Sequence, residues 1–137
     1  MRWQLAIGGA SLLVGLAFAD AESSVRRVFS FDGKATEFVE LERGRLVVSR
    51  SCLDASGKPH CQAARSVRGA NLRRLRPAPA PGVDTGAVIC ERQVKGRVVL
   101  GTDPNKNESA FCLFKDGSLI DTGSLSYYGG LRARAGD

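Results

Sequence analysis

Four cysteines, Cys52, Cys61, Cys90 and Cys112, and a single histidine, His60, are the residues whose chemistry bounds this chain. No two cysteines have the short C-x2-4-C spacing of a zinc knuckle, so the sequence predicts no metal site and no cofactor. A cysteine nucleophile needs a free thiolate beside a base, and His60 reads instead as an exposed residue of a Gly/Pro loop. An even number of cysteines fits two disulfides, with three connectivities open to it. Locality favours Cys52–Cys61 with Cys90–Cys112, because Pro77-Ala78-Pro79-Ala80-Pro81-Gly82 separates the two pairs. The carboxylates do not suggest catalysis. Glu40 and Glu42 share one strand face and mark a solvent side, while Asp103 and Glu108 are too few for an EF-hand calcium loop. No nucleophile elbow, zinc-protease helix or phosphate-cradling glycine loop is present.

Arginine supplies the main asymmetry. Between Ala55 and Val83 there is no Asp or Glu, yet Lys58, Arg65, Arg68, Arg73, Arg74 and Arg76 all fall there. Guanidinium groups suit bidentate contact with phosphate or carboxylate. Placed on one helix, Arg65, Arg68 and Arg76 would share part of a face with Arg73 nearby. Two readings follow: a docking surface for an anionic envelope component or an acidic protein, or a solvated face that balances acidic strands. No aromatic residue interleaves these arginines, which argues against nucleic acid.

These residues need elements to hold them. Residues 5–19 carry no charge, follow Arg2 and end in Ala17-Phe18-Ala19, so residues 1–19 read as a signal peptide that is removed. Fifteen uncharged residues fall short of the about 20 that a membrane span requires. The product is then expected in the periplasm or secreted, where disulfides persist, with no integral membrane span after cleavage. After a polar leader at 20–24, strands are predicted at 25–32, 36–42 and 45–52, with turns at Asp32-Gly33 and Arg43-Gly44. A two-residue loop at Arg43-Gly44 sets Leu41 against Leu46, Val39 against Val48 and Glu37 against Arg50. Residues 62–76 form a possible helix, weakened by Gly69 and Asn71 and stopped by Pro77. The unit 20–76 is followed by the Pro-rich linker 77–82 and a second unit at 83–126. That unit has a short helix at 85–93, a strand at 97–101, and strands at 109–115 and 118–124 around Asp116-Gly117. A two-residue loop there would oppose Phe114 to Leu119 and Leu113 to Ile120. The glycine- and arginine-rich 127–137 reads as a flexible tail.

From Pro81 to about Leu125 the chain resembles a known family, the small bacterial exported domain of unknown function that carries a hemolysin label. The resemblance rests on Pro81-Gly82, Cys90, Gly96, Val98-Val99, Asn107-Glu108, Phe111-Cys112-Leu113-Phe114 and Asp116-Gly117-Ser118. It implies an exported, disulfide-held α+β module with Cys90 paired to Cys112, and it implies no catalytic residue. Many members carry a second cysteine pair after the Asp-Gly turn or an acylated cysteine, and this chain has neither.

The fold class expected is α+β: small antiparallel β-rich units with one or two short helices and two disulfides. The function expected is a non-catalytic binding module at the cell envelope or for another exported protein. Its candidate partner residues are Arg65, Arg68, Arg73, Arg74 and Arg76. The alternatives are a peptidase inhibitor presenting the Cys52–Cys61 loop and an enzyme of unrecognised type.

Overall fold

The computed structural model describes residues 25–136; the expected signal segment 1–19, the leader 20–24 and Asp137 lie outside the described residues. Val25–Phe31 (β1), Lys34–Leu41 (β2) and Leu46–Ser49 (β3) form a meander. The first turn holds Asp32 at φ 48° and Gly33 at 81°; the second, over residues 42–45, holds Glu42 at 51°, Arg43 at 60° and Gly44 at 80°. Turns of this hand match the right-handed twist of the strands they join. The β2–β3 register is the expected one, with Leu41 opposite Leu46 and Val39 opposite Val48, and Arg50 reaches Glu37 at 3.4 Å. A 3₁₀ turn at Arg50–Cys52 ends the meander.

Arg97–Thr102 (β4), Glu108–Leu113 (β5) and Leu119–Asp121 (β6) form a second meander. The two meanders close into one six-stranded antiparallel barrel in the order β1-β2-β3-β6-β5-β4. Both seams are short, Val48 pairing with Ile120 and Ser30 with Thr102. Serine hydroxyls reinforce the first seam: Ser49 Oγ accepts the Leu119 N–H and Ser124 Oγ accepts the Val47 N–H, each at 3.0 Å. The sequence leaves open whether the segments on either side of residues 77–82 share a core, and this barrel answers that they do.

Two packed regions hold the barrel. Inside it, Phe29, Phe38, Val47, Phe111 and Leu119 are buried, with the Phe38 and Phe111 rings 4.6 Å apart and Phe29 and Phe111 4.8 Å apart. Outside it, Val39, Val48 and Ile120 pack with Ile89, Leu75 and Leu125 from the helical segments. A short helix, Gln62–Ser66 (α1), precedes a 3₁₀ turn at Leu72–Arg74 that Leu75 follows, while Thr85–Arg92 (α2) supplies Ile89 and Thr122–Ala135 (α3) supplies Leu125. Cys52–Cys61 and Cys90–Cys112 are the two disulfides, and both lie within this outer region. The α+β, disulfide-held class is the one the sequence implies. No described helix is long and apolar enough to cross a membrane.

Three local expectations are corrected. The β5–β6 loop has three residues, not two, because the Gly117 N–H bonds to the Phe114 carbonyl and the Phe114 N–H to the Ser118 carbonyl, each at 3.0 Å, with Gly117 at φ 82°. This tight turn plus a left-handed glycine shifts the register by one residue, so Leu113 faces Leu119 and Cys112 faces Ile120. The expected helix over 62–76 stops at Ser66. Asn71 then bends the chain: its Oδ1 accepts the Arg73 N–H, and Gln93 clamps its backbone from both sides at 2.9 and 2.8 Å. Leu72–Arg74 survives only as a 3₁₀ turn. The expected tail over 127–137 is instead the body of α3, which ends at Ala135 and is closed by Gly136 at φ 84°. Gly129 is the reason its composition misleads. A Cβ there would stand 2.8 Å from Ile89 Cδ1, so the glycine serves helix packing rather than a turn.

Candidate functional site

The early end of α1 breaks up the arginine face expected from the sequence. Arg65 lies toward Asp116. Burial raises the carboxyl pKa of Asp116, but the Gln62 N–H, the Ser118 hydroxyl and N–H, and the Arg65 charge together hold it below its usual value. Arg76 Nη1 donates to the carbonyls of Arg73 and Leu75 at 2.7 and 2.8 Å, so it folds onto its own chain. Arg73 takes a different route, to the C-terminal end of α3, where its Nη1 is 3.9 Å from the Cβ position of Gly136. The same end carries Arg132 and Arg134, and Arg132 Nη2 donates to the Val67 carbonyl, next in the chain to Arg68. The carbonyl end of a helix favours cations, which explains why they gather there. The ion pairs among the described residues are Arg27–Glu40 and Arg50–Glu37, and none of the arginines at this edge takes part. Arg132 and Arg134 were missed in the sequence because they fell in the supposed tail. Arg68 and Arg74 are exposed and adjoin Val67 and Arg73 in the chain.

The Cys52–Cys61 loop is a small braced hairpin. Leu53 bridges Pro59, the Asp54 N–H donates to the Lys58 carbonyl at 2.8 Å, and the His60 N–H donates to the Cys52 carbonyl. Asp54 Oδ1 accepts from the Ser56 hydroxyl and from the Ser56 and Lys58 N–H groups, which hold its carboxyl below the usual value. His60 is exposed at the base of this loop. Among the described residues, no group of three or more His, Cys, Asp or Glu side chains converges to hold a metal.

A cavity of about 1030 Å³ opens at the end of the barrel where β1 turns into β2 and β5 into β6. Side chains alternate across a strand, so inward-facing Phe38 places Thr36 and Lys34 on its own side, Val47 does so for Ser49, and Val99 for Arg97. Phe31, Val99, Leu113 and Leu119 make the apolar wall. The opposite end of the barrel carries charge. Arg27 pairs with Glu40 at 2.5 Å beside Asp121, whose carboxyl is pushed up by burial and by Asp84 and Glu40 against the pull of the Gly123 N–H and Arg27. The end beside the β1–β2 turn is the open one described by the cavity. Lys34 and Arg97 were not singled out in the sequence; the alternation of β2 and β4, once closed into a barrel, is the signal that finds them.

Comparison of the chain with family models, with curated proteins and with solved structures finds no match.

Proposed function

We propose that this chain is a small, exported, non-catalytic binding protein, periplasmic or secreted, that docks on an anionic component of the cell envelope. The contact is the edge at the C-terminal end of α3: Arg73, Arg132 and Arg134, with Arg68 and Arg74, which adjoin Val67 and Arg73 in the chain. One observation carries the reading, namely that the guanidinium groups of Arg73, Arg132 and Arg134 gather at one edge and take part in no ion pair among the described residues. Arginine forks suit the phosphate oxygens such a surface presents, and several exposed charges acting together bind in a salt-dependent way. Export is supported by the two disulfides and by the uncharged run at residues 5–19.

Co-sedimentation with phosphatidylglycerol vesicles tests this. Retention is expected to fall as salt rises and to drop several-fold in Arg73→Gln/Arg134→Gln, with neutral phosphatidylcholine vesicles as the baseline. Retention that ignores salt and both substitutions would sink the proposal. The bracing of the Cys52–Cys61 loop favours a second reading, a peptidase inhibitor, because a rigid exposed loop loses little entropy on entering a protease cleft. Pro59 after Lys58 weighs against a basic reactive bond, and a protease panel decides between the two readings.

A further inference from the structure

We propose that the open mouth of the barrel is a second, separate site, which binds a small amphipathic carboxylate of fatty-acid type. Its chain would lie on Phe31, Val99, Leu113 and Leu119, and its head group between Lys34 and Arg97. The opening arises from strand register. Ser30 pairs with Thr102, so β1 reaches its turn at Asp32 alongside Leu100, while β4 extends three residues further up to Arg97. No β1 residue lies beside that stretch, and Leu100 is left 60% exposed. The gap leads into the cavity of about 1030 Å³, whose size fits a drug-sized or acyl ligand.

The chemistry of the walls selects the ligand. The deep wall is aliphatic and aromatic, backed by the interlocked rings of Phe29, Phe38 and Phe111, so a wholly polar anion such as inorganic phosphate would leave it uncovered. Three cations line the mouth, Lys34, Arg50 and Arg97, against Asp32 and Glu37. Arg50 is engaged with Glu37, whereas Lys34 and Arg97 take part in no ion pair among the described residues. The head group is therefore anionic rather than cationic. The far end of the barrel carries the charged Arg27–Glu40 pair beside Asp121, which does not suit an acyl chain, so the ligand enters and leaves by this mouth, with its tail inward toward the phenylalanines. The arginine edge at α3 plays no part, so the two proposals stand or fall separately.

The test titrates the oxidised chain with decanoate below its micellar concentration, with decanol and decyltrimethylammonium as matched probes, and follows backbone amide shifts. Saturable binding of decanoate is expected, with shifts confined to the strands around Phe31, Lys34, Arg97, Val99 and Leu113. Decanol should bind at least about tenfold more weakly, because a charge-assisted head-group contact is lost, and the cationic probe more weakly still. Lys34→Gln/Arg97→Gln should weaken decanoate by about tenfold or more while leaving decanol unchanged. Both residues are exposed, so this variant keeps its fold; Lys106→Gln, at the other end of the barrel, controls for simple loss of charge. The proposal is overturned by absent or non-saturable decanoate binding, by equal affinity for decanol, by shifts centred elsewhere, or by full affinity in the double variant.

Discussion

Asp121 occupies two roles that pull against each other. Its Oδ1 accepts the Gly123 N–H at 2.8 Å and caps α3, yet burial beside Asp84 and Glu40 makes its ionised form costly. A carboxyl whose folded pKa lies above the usual 3.8 favours the folded state at low pH, and that contribution is lost as pH rises through the folded value. Asparagine caps a helix as well as aspartate does and carries no charge. Asp121→Asn should therefore raise stability at pH 7 relative to the parent chain and match it near pH 3, read from urea midpoints across a pH series. A loss of stability at pH 7 would show that the charge of Asp121 is needed against Arg27. Asp54, Asp103 and Asp116 have the opposite sign, their carboxyls held low by hydrogen bonds, and so they favour the folded state at neutral pH. At this scale the sequence was legible for cysteines and turn residues, whose roles depend on near neighbours. It was not legible for Lys34, Arg97 or Arg134, which acquire meaning only from residues far along the chain.

The helices show why composition misleads at the scale of the element. Gly129 and Gly130 make the body of α3 look like a tail and residues 122–124 read as the end of a strand, but its Asp cap, its Gly136 terminus and the close approach of Ile89 make it a helix from Thr122 onward. The crossing of α2 and α3 is closer still at Gly86, where a Cβ would stand 1.8 Å from the Thr122 carbonyl oxygen. Thr122 in turn donates its hydroxyl to Asp84, the cap of α2, at 2.8 Å. Backbone cannot step aside as a side-chain tip can. Gly86→Ala is therefore expected to cost about 3 kcal/mol or more, the upper end for overpacking, and Gly129→Ala, whose one approach under 3.0 Å is to the tip of the Ile89 side chain, about 1 kcal/mol. Denaturant melts of the two variants should preserve that order, and a reversed order would contradict the packing described. The hairpins were more legible: Asp32-Gly33 and Arg43-Gly44 sit where turn chemistry puts them. The β5–β6 register failed by one residue because Asp-Gly is compatible with both a two- and a three-residue loop, and the choice lies with the partner strands.

At the scale of the molecule, two disulfides brace one barrel whose seams are single residue pairs. Cys90–Cys112 ties α2 to β5 and closes 22 residues, whereas Cys52–Cys61 closes 9, and all four cysteines are buried. Loop entropy assigns each roughly 2–4 kcal/mol, more for the longer loop, while removing either buried bridge leaves a cavity, so loop length sets the order. Replacing Cys90 and Cys112 together by Ala should therefore lower the urea midpoint more than replacing Cys52 and Cys61, and equal losses would refute the ordering. The sequence by itself determined where the six strands lie, though not that the last of them ends at Asp121, together with two of the three hairpin turns and a favoured cysteine pairing, because alternation, turn residues and short loops are local properties. Tertiary structure alone decided that the segments flanking residues 77–82 close one barrel, that residues 122–135 form a helix, and that the barrel has an open mouth lined by Lys34 and Arg97. Those depend on pairing and close approach between residues tens of positions apart, which no local pattern encodes.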